Sequence, residues 1–68
     1  MSEAAVRLLR LLGLLQSRPG LPGRQLAGTL GVTERTLRRD VDRLRSLGYV
    51  ITAAPGASRG GYHLGSPG

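Results

Sequence analysis

The sequence predicts a mainly α chain, three helices closed by a small β-hairpin, and three observations carry that expectation. The stretch Val32 to Leu47 opens with Thr33, whose hydroxyl can accept a hydrogen bond from a free N–H of a first helical turn, and then places Leu37, Val41, Leu44 and Leu47 at spacings of four, three and three. Upstream of it, two leucine-bearing segments are parted by the turn residues Arg18-Pro-Gly-Leu-Pro-Gly23. Downstream, Tyr49 to Thr52 and Tyr62 to Leu64 are short runs with β-branched or aromatic residues on either side of a glycine-rich stretch.

Length and composition bound what such a chain can be. Sixty-eight residues make one small domain, of a size that buries only about 60% of the surface of its unfolded chain and is marginally stable for that reason. There is no cysteine, so neither a disulfide nor a cysteine-based zinc site is available, and no cofactor or metal is expected. The net charge is +6, and all ten basic residues are arginine. That balance favours an anionic partner, and guanidinium groups suit bidentate contact with phosphate or guanine.

The first helix is expected from Ser2 and Glu3, a cap and a first-turn acid, to Gln16 or Ser17. Ala5, Leu8, Leu9, Leu12 and Leu15 fall on one face of it, with Val6, Leu11 and Leu14 off that face. Either the helix is buried on more than one side, or its outer leucines meet another protein surface. Arg7 and Arg10 interrupt the run, which falls short of the roughly 18 uninterrupted apolar residues that a membrane span needs, so no membrane partner is expected. A second helix should start around Pro22, which suits a first helical position, and turn Leu26 and Leu30 inward. Gly31 ends it, since a glycine just past a helix takes the left-handed conformation without penalty. A turn of three or four residues then leads to Thr33, which is a helix-turn-helix arrangement.

The third helix carries the chemistry. Opposite its apolar side stand Arg35, Arg39 and Arg43, each four residues from the next, a spacing at which like charges repel by roughly 0.2–0.5 kcal/mol per pair. The line makes sense if an anion meets it. Against this, Arg38 lies four residues from both Glu34 and Asp42 and can join an ordinary surface ladder, and five arginines over Thr33 to Leu47 face three acids. Asp40 flanks the apolar side and is expected to pair internally with an arginine of the first or second helix. After Gly48 the strand Tyr49 to Thr52, the loop Ala53 to Gly61 and the strand Tyr62 to Leu64 form the hairpin. Arg59, near its tip, is the one charge there and can reach a phosphate or a minor groove. No pattern fits an enzyme: His63 stands alone, Asp40 and Asp42 point apart, and the loop glycines match no phosphate-binding fingerprint.

From Arg7 to Gly65 the chain resembles the amino-terminal winged helix-turn-helix domain of bacterial transcriptional regulators whose second half is a WYL domain, and more broadly DeoR-like and biotin-repressor-like winged helices. The resemblance lies in R-L-L-R-L-L-G-L-L-Q at 7 to 16, Q-L-A-G-T-L-G-V-T-E-R-T-L-R-R-D-V-D-R-L-R-S-L-G-Y at 25 to 49 and G-G-Y-H-L-G at 60 to 65. The central run is its specific part. It implies a recognition helix beginning at Thr33, close packing of the helices at Ala27, a turn glycine at Gly31, and a hairpin that serves as a wing of two or three strands. Gly28 departs from the pattern, since resembling proteins carry a better helix former there.

The expected function is therefore sequence-specific binding of double-stranded DNA by a cytoplasmic, nucleoid-associated regulator. Arg35, Thr36 and Arg39 are the first candidates for base edges or adjacent phosphates, and Arg38, Arg43 and Arg59 for the backbone. At the helix start, Thr33 would help position a phosphate and Glu34 read a cytosine. Residues 1–65 are expected to be the DNA-binding domain and 66–68 the start of a linker to a further domain, with any homodimer formed through sequence outside this chain. The alternative is a winged-helix protein-interaction module that works through the leucine-rich first helix. RNA is disfavoured, since two tyrosines and no Phe or Trp leave little to stack on bases.

Overall fold

A computed structural model describes residues 2–53 and 61–65. Three helices and a two-stranded antiparallel hairpin follow in order: α1 (Glu3–Ser17), α2 (Gly23–Leu30), α3 (Glu34–Ser46), β1 (Ile51–Ala53) and β2 (Tyr62–Leu64). In the hairpin Ile51 faces Leu64, Thr52 faces His63 and Ala53 faces Tyr62. This is a winged helix-turn-helix architecture. Among the described residues no helix is long and apolar enough to cross a membrane.

Each helix is bounded by the chemistry of its ends. The Ser2 hydroxyl accepts a hydrogen bond from the Ala5 N–H at 3.2 Å, and the Thr33 hydroxyl accepts one from the Thr36 N–H at 3.1 Å. Pro22 stands one position before α2 rather than in its first turn, with its carbonyl accepting the Leu26 N–H at 3.0 Å. At the other end Gly31 takes φ +70°, and the Val32 N–H reaches back to the Ala27 carbonyl at 2.9 Å. That closure turns the chain within Gly31, Val32 and Thr33, so only three residues separate α2 from α3. The same closure ends α3, where the Tyr49 N–H donates to the Leu44 carbonyl at 3.1 Å.

One core holds these elements together: Leu11 and Leu15 from α1, Leu26 and Ala27 from α2, Leu37, Val41 and Leu44 from α3, and Ile51 and Tyr62 from the hairpin. The face of α1 differs from the expected one. Leu15 is buried and Leu8 packs on the core as expected, but Leu11 is fully buried and Leu9 is 58% exposed, so the inward face is turned by roughly a quarter of a revolution from the centre of the Ala5–Leu8–Leu9–Leu12–Leu15 face, at a helical step of about 100° per residue. Leucines at 8, 9, 11, 12, 14 and 15 offer almost any face; what chooses among them is Arg7, which must point inward to meet Asp40. Leu47 likewise leaves the core, at 67% exposure. It caps α3 and lies roughly 90° off the centre of the Leu37–Val41–Leu44 face. Tyr49 and Val50 precede the first strand instead of forming it.

The hairpin is tied to the helices by backbone as well as by side chains. The Gly20 N–H donates to the Tyr62 carbonyl and the Tyr62 N–H to the Leu21 carbonyl, both at 3.1 Å, which fastens β2 to the turn between α1 and α2. This contact requires Gly61. Its φ is +90°, and a Cβ there would stand 2.3 Å from the Gly20 carbonyl oxygen and 2.7 Å from the carbonyl carbon. Gly61→Ala therefore combines backbone strain with a clash against main chain, and is expected to cost at least about 2 kcal/mol in urea unfolding. Gly28, by contrast, has nothing within 4 Å of the position a Cβ would occupy, so packing does not demand a glycine there.

Candidate nucleic-acid interface

α3 presents two unlike sides because its sequence alternates them at helical spacing. Leu37, Val41 and Leu44 are buried, and Arg35, Arg38, Arg39 and Arg43 are exposed on the other side. Among the described residues only two ion pairs form, Arg7 with Asp40 and Arg45 with Asp42. Arg38 does not enter the Glu34–Arg38–Asp42 ladder, because Asp42 turns to Arg45 Nη1 at 3.2 Å. Four guanidinium groups on one helical side are thus left without a carboxylate among the described residues, and nothing there offsets their mutual repulsion.

Arg45, to which the sequence assigns no task, ties α3 to the hairpin. Its Nε and Nη2 donate to the Ile51 carbonyl at 3.0 and 2.8 Å, fixing the last turn of α3 to β1. The signal for it was only its position beside the strand rather than on the Arg35–Arg39–Arg43 line. The Asp40 carboxylate, at 4% exposure the one buried charged residue of the described chain, accepts from Arg7 Nε at 2.5 Å and from Arg7 Nη2 at 3.2 Å. The pair anchors α3 to α1. Those hydrogen bonds raise the pKa of Arg7 above its ordinary value, with the charge of Asp40 adding to the effect.

At the amino end of α3 the two threonines are coupled. The Thr33 hydroxyl accepts the Thr36 N–H and donates to Thr36 Oγ1 at 3.2 Å, so Thr33 is spent on the cap and the Thr36 hydroxyl keeps its own proton to donate. Glu34 is half-buried in the first turn, where a carboxylate is favoured by the helix dipole. Thr36, Arg39 and Arg43 line one shallow recess together with Arg7 and Asp40. Arg59 lies outside the described residues, as do 66–68.

Known proteins place this arrangement. The family model of the HTH domain matches residues 7–63, which takes in most of α1, all of α2 and α3, and the hairpin as far as His63. The chain belongs to the helix-turn-helix domain family. No solved structure matches it. As a member of the HTH family the chain is a DNA-binding domain of the transcription-regulator type. Within the HTH domain, α2, the Gly31–Val32–Thr33 turn and α3 are the helix-turn-helix unit.

Proposed function

We propose that this HTH domain reads double-stranded DNA by laying α3 in the major groove, its Thr33 end nearest the bases, with the hairpin against the backbone or the adjacent minor groove. The observation that supports this reading is the side of α3 bearing Arg35, Arg38, Arg39 and Arg43, exposed and unpaired among the described residues. Arg35, Thr36 and Arg39 take base edges or the phosphates beside them; Arg38, Arg43 and Arg59 take backbone; Thr33 and Glu34 set the helix start against a phosphate and a cytosine. Residues 1–65 are the DNA-binding part of a bacterial cytoplasmic regulator of the WYL type, residues 66–68 begin its linker, and any homodimer forms through sequence outside this chain.

Arg39→Ala tests the site. With fluorescence anisotropy on cognate and random duplexes, loss of about 1–3 kcal/mol on the cognate alone makes Arg39 a base contact. Equal loss on both, with the log–log salt slope falling by about 0.9, makes it a phosphate contact. No change on either removes Arg39 from the interface.

One observation favours a second reading, a protein-interaction module. Leu9 and Leu47 are well exposed and, with Ala5, Leu8, Leu12, Leu44 and Tyr49, line an apolar groove between α1 and the end of α3. Salt separates the two readings, since apolar association persists at ionic strengths that release DNA.

A further inference from the structure

Beyond the residues that the sequence marks for DNA, the fold brings one more cation to α3. Arg7 belongs to α1, yet its side chain lines the same recess as Thr36, Arg39 and Arg43. Asp40 lines it too, but its two oxygens already accept from Arg7 Nε and Nη2. Arg7 Nη1 has no hydrogen-bond partner among the described residues. No buried side-chain nitrogen or oxygen there lacks a partner, so Nη1 is open to solvent. Three guanidinium groups and one carboxylate leave the recess with two net positive charges. Beside them stands the Thr36 hydroxyl, whose oxygen is occupied by Thr33 and whose proton is not. A tetrahedral monoanion with several acceptor oxygens satisfies all four donors at once.

We infer that this recess seats one phosphodiester group of the DNA backbone, held by Arg39 and Arg43, by the Thr36 hydroxyl and by the outward Nη1 of Arg7. Asp40 is the positioning residue that holds Arg7 there. The inference rests on the DNA-binding reading above and deepens it, since it makes α1 part of the interface and assigns both Thr36 and Arg39 to the backbone rather than to base edges. A contact of this kind sets the register of the protein on the duplex without reading sequence.

The test uses the unaltered chain and its cognate duplex at low salt, on which the protein sits in one register and each phosphate can be assigned. Arg7 Nε–H, held by Asp40, is shielded from exchange and gives a side-chain signal in proton–nitrogen NMR spectra. Adding duplex is expected to shift that signal in step with the anisotropy change. Replacing phosphates one at a time by neutral methylphosphonate should then reveal one linkage whose loss cancels the shift and weakens binding roughly tenfold, with Arg39→Gln and Arg43→Gln causing no further loss at that linkage. Duplex binding with the Arg7 signal unmoved, or penalties of the two glutamine variants mapping to different linkages, overturns the seat and leaves DNA binding standing. A shift with inorganic phosphate but none with duplex also overturns it, in favour of a free-anion site. Absence of duplex binding at low salt removes the DNA reading and the seat together.

Discussion

Arg7→Met is expected to lower the melting temperature of the domain by roughly 10–20 °C, and the double change Arg7→Met with Asp40→Leu to recover most of that loss. The single change leaves a carboxylate at 4% exposure without its partner, whereas the double change replaces the pair by apolar volume. Asp40→Asn alone is expected to cost less, because the Arg7 side chain is 26% exposed and can turn its charge to water. The asymmetry follows from burial and not from the strength of the bond. Arg7 is a cation whose pKa is raised in the fold, so its contribution is fully present below the ordinary guanidinium range and is lost only in strong alkali. Near neutrality, stability is therefore expected to show no pH dependence from the Arg7 side of the pair. Thermal unfolding followed by circular dichroism on the three variants measures these differences. Equal melting temperatures for Arg7→Met and the unaltered chain would sink the claim that this pair anchors α3 to α1.

Leu11→Ala and Leu9→Ala are expected to differ by several kcal/mol although they lie two residues apart. Leu11 is fully buried in the common core, and truncating such a leucine costs about 2–5 kcal/mol in lost transfer energy and residual cavity. A chain of this length holds roughly 3–10 kcal/mol in all, so Leu11→Ala brings the fold to the edge of unfolding at room temperature. Leu9, at 58% exposure, is expected to change stability by no more than about 0.5 kcal/mol. Urea denaturation of both variants decides which face of α1 packs inward; similar midpoints would contradict the packing described.

Where the sequence was legible, a single conformation satisfied several demands at once. Thr33 had to cap α3, Gly31 had to turn the chain, and Asp40, an acid beside the apolar side of an arginine-rich helix, had to find an internal partner; the structure bears out each of them. The helix α1 was not legible in the same way. With leucine at 8, 9, 11, 12, 14 and 15, hydropathy alone gives its rotation no sharp optimum, and the deciding contact lies 33 positions away in Asp40. The expected face rests on leucine spacing alone; the α1 arginine that reaches Asp40 while sharing a face with Leu11 and Leu15 is what fixes the rotation. Leu47 leaves the expected line because α3 ends at Ser46, one step before the apolar periodicity reaches it. Arg39 and Arg43 stand on one recess, as their spacing suggested, but Arg7 could not have been added to them without the packing of α1 on α3.

The two N–H donors that Arg45 places on the Ile51 carbonyl have a consequence for how tightly this domain can hold a ligand. They lock the end of α3 to the first strand, and the backbone bonds at Tyr62 lock the second strand to the α1–α2 turn. A surface that touches both α3 and the hairpin strands consequently meets an angle that exists before contact. Little orientational freedom between these elements remains to be frozen on association, so more of each contact's free energy appears as affinity. Loosening that hinge, by Arg45→Met for instance, would weaken binding through entropy while leaving every contacting side chain in place.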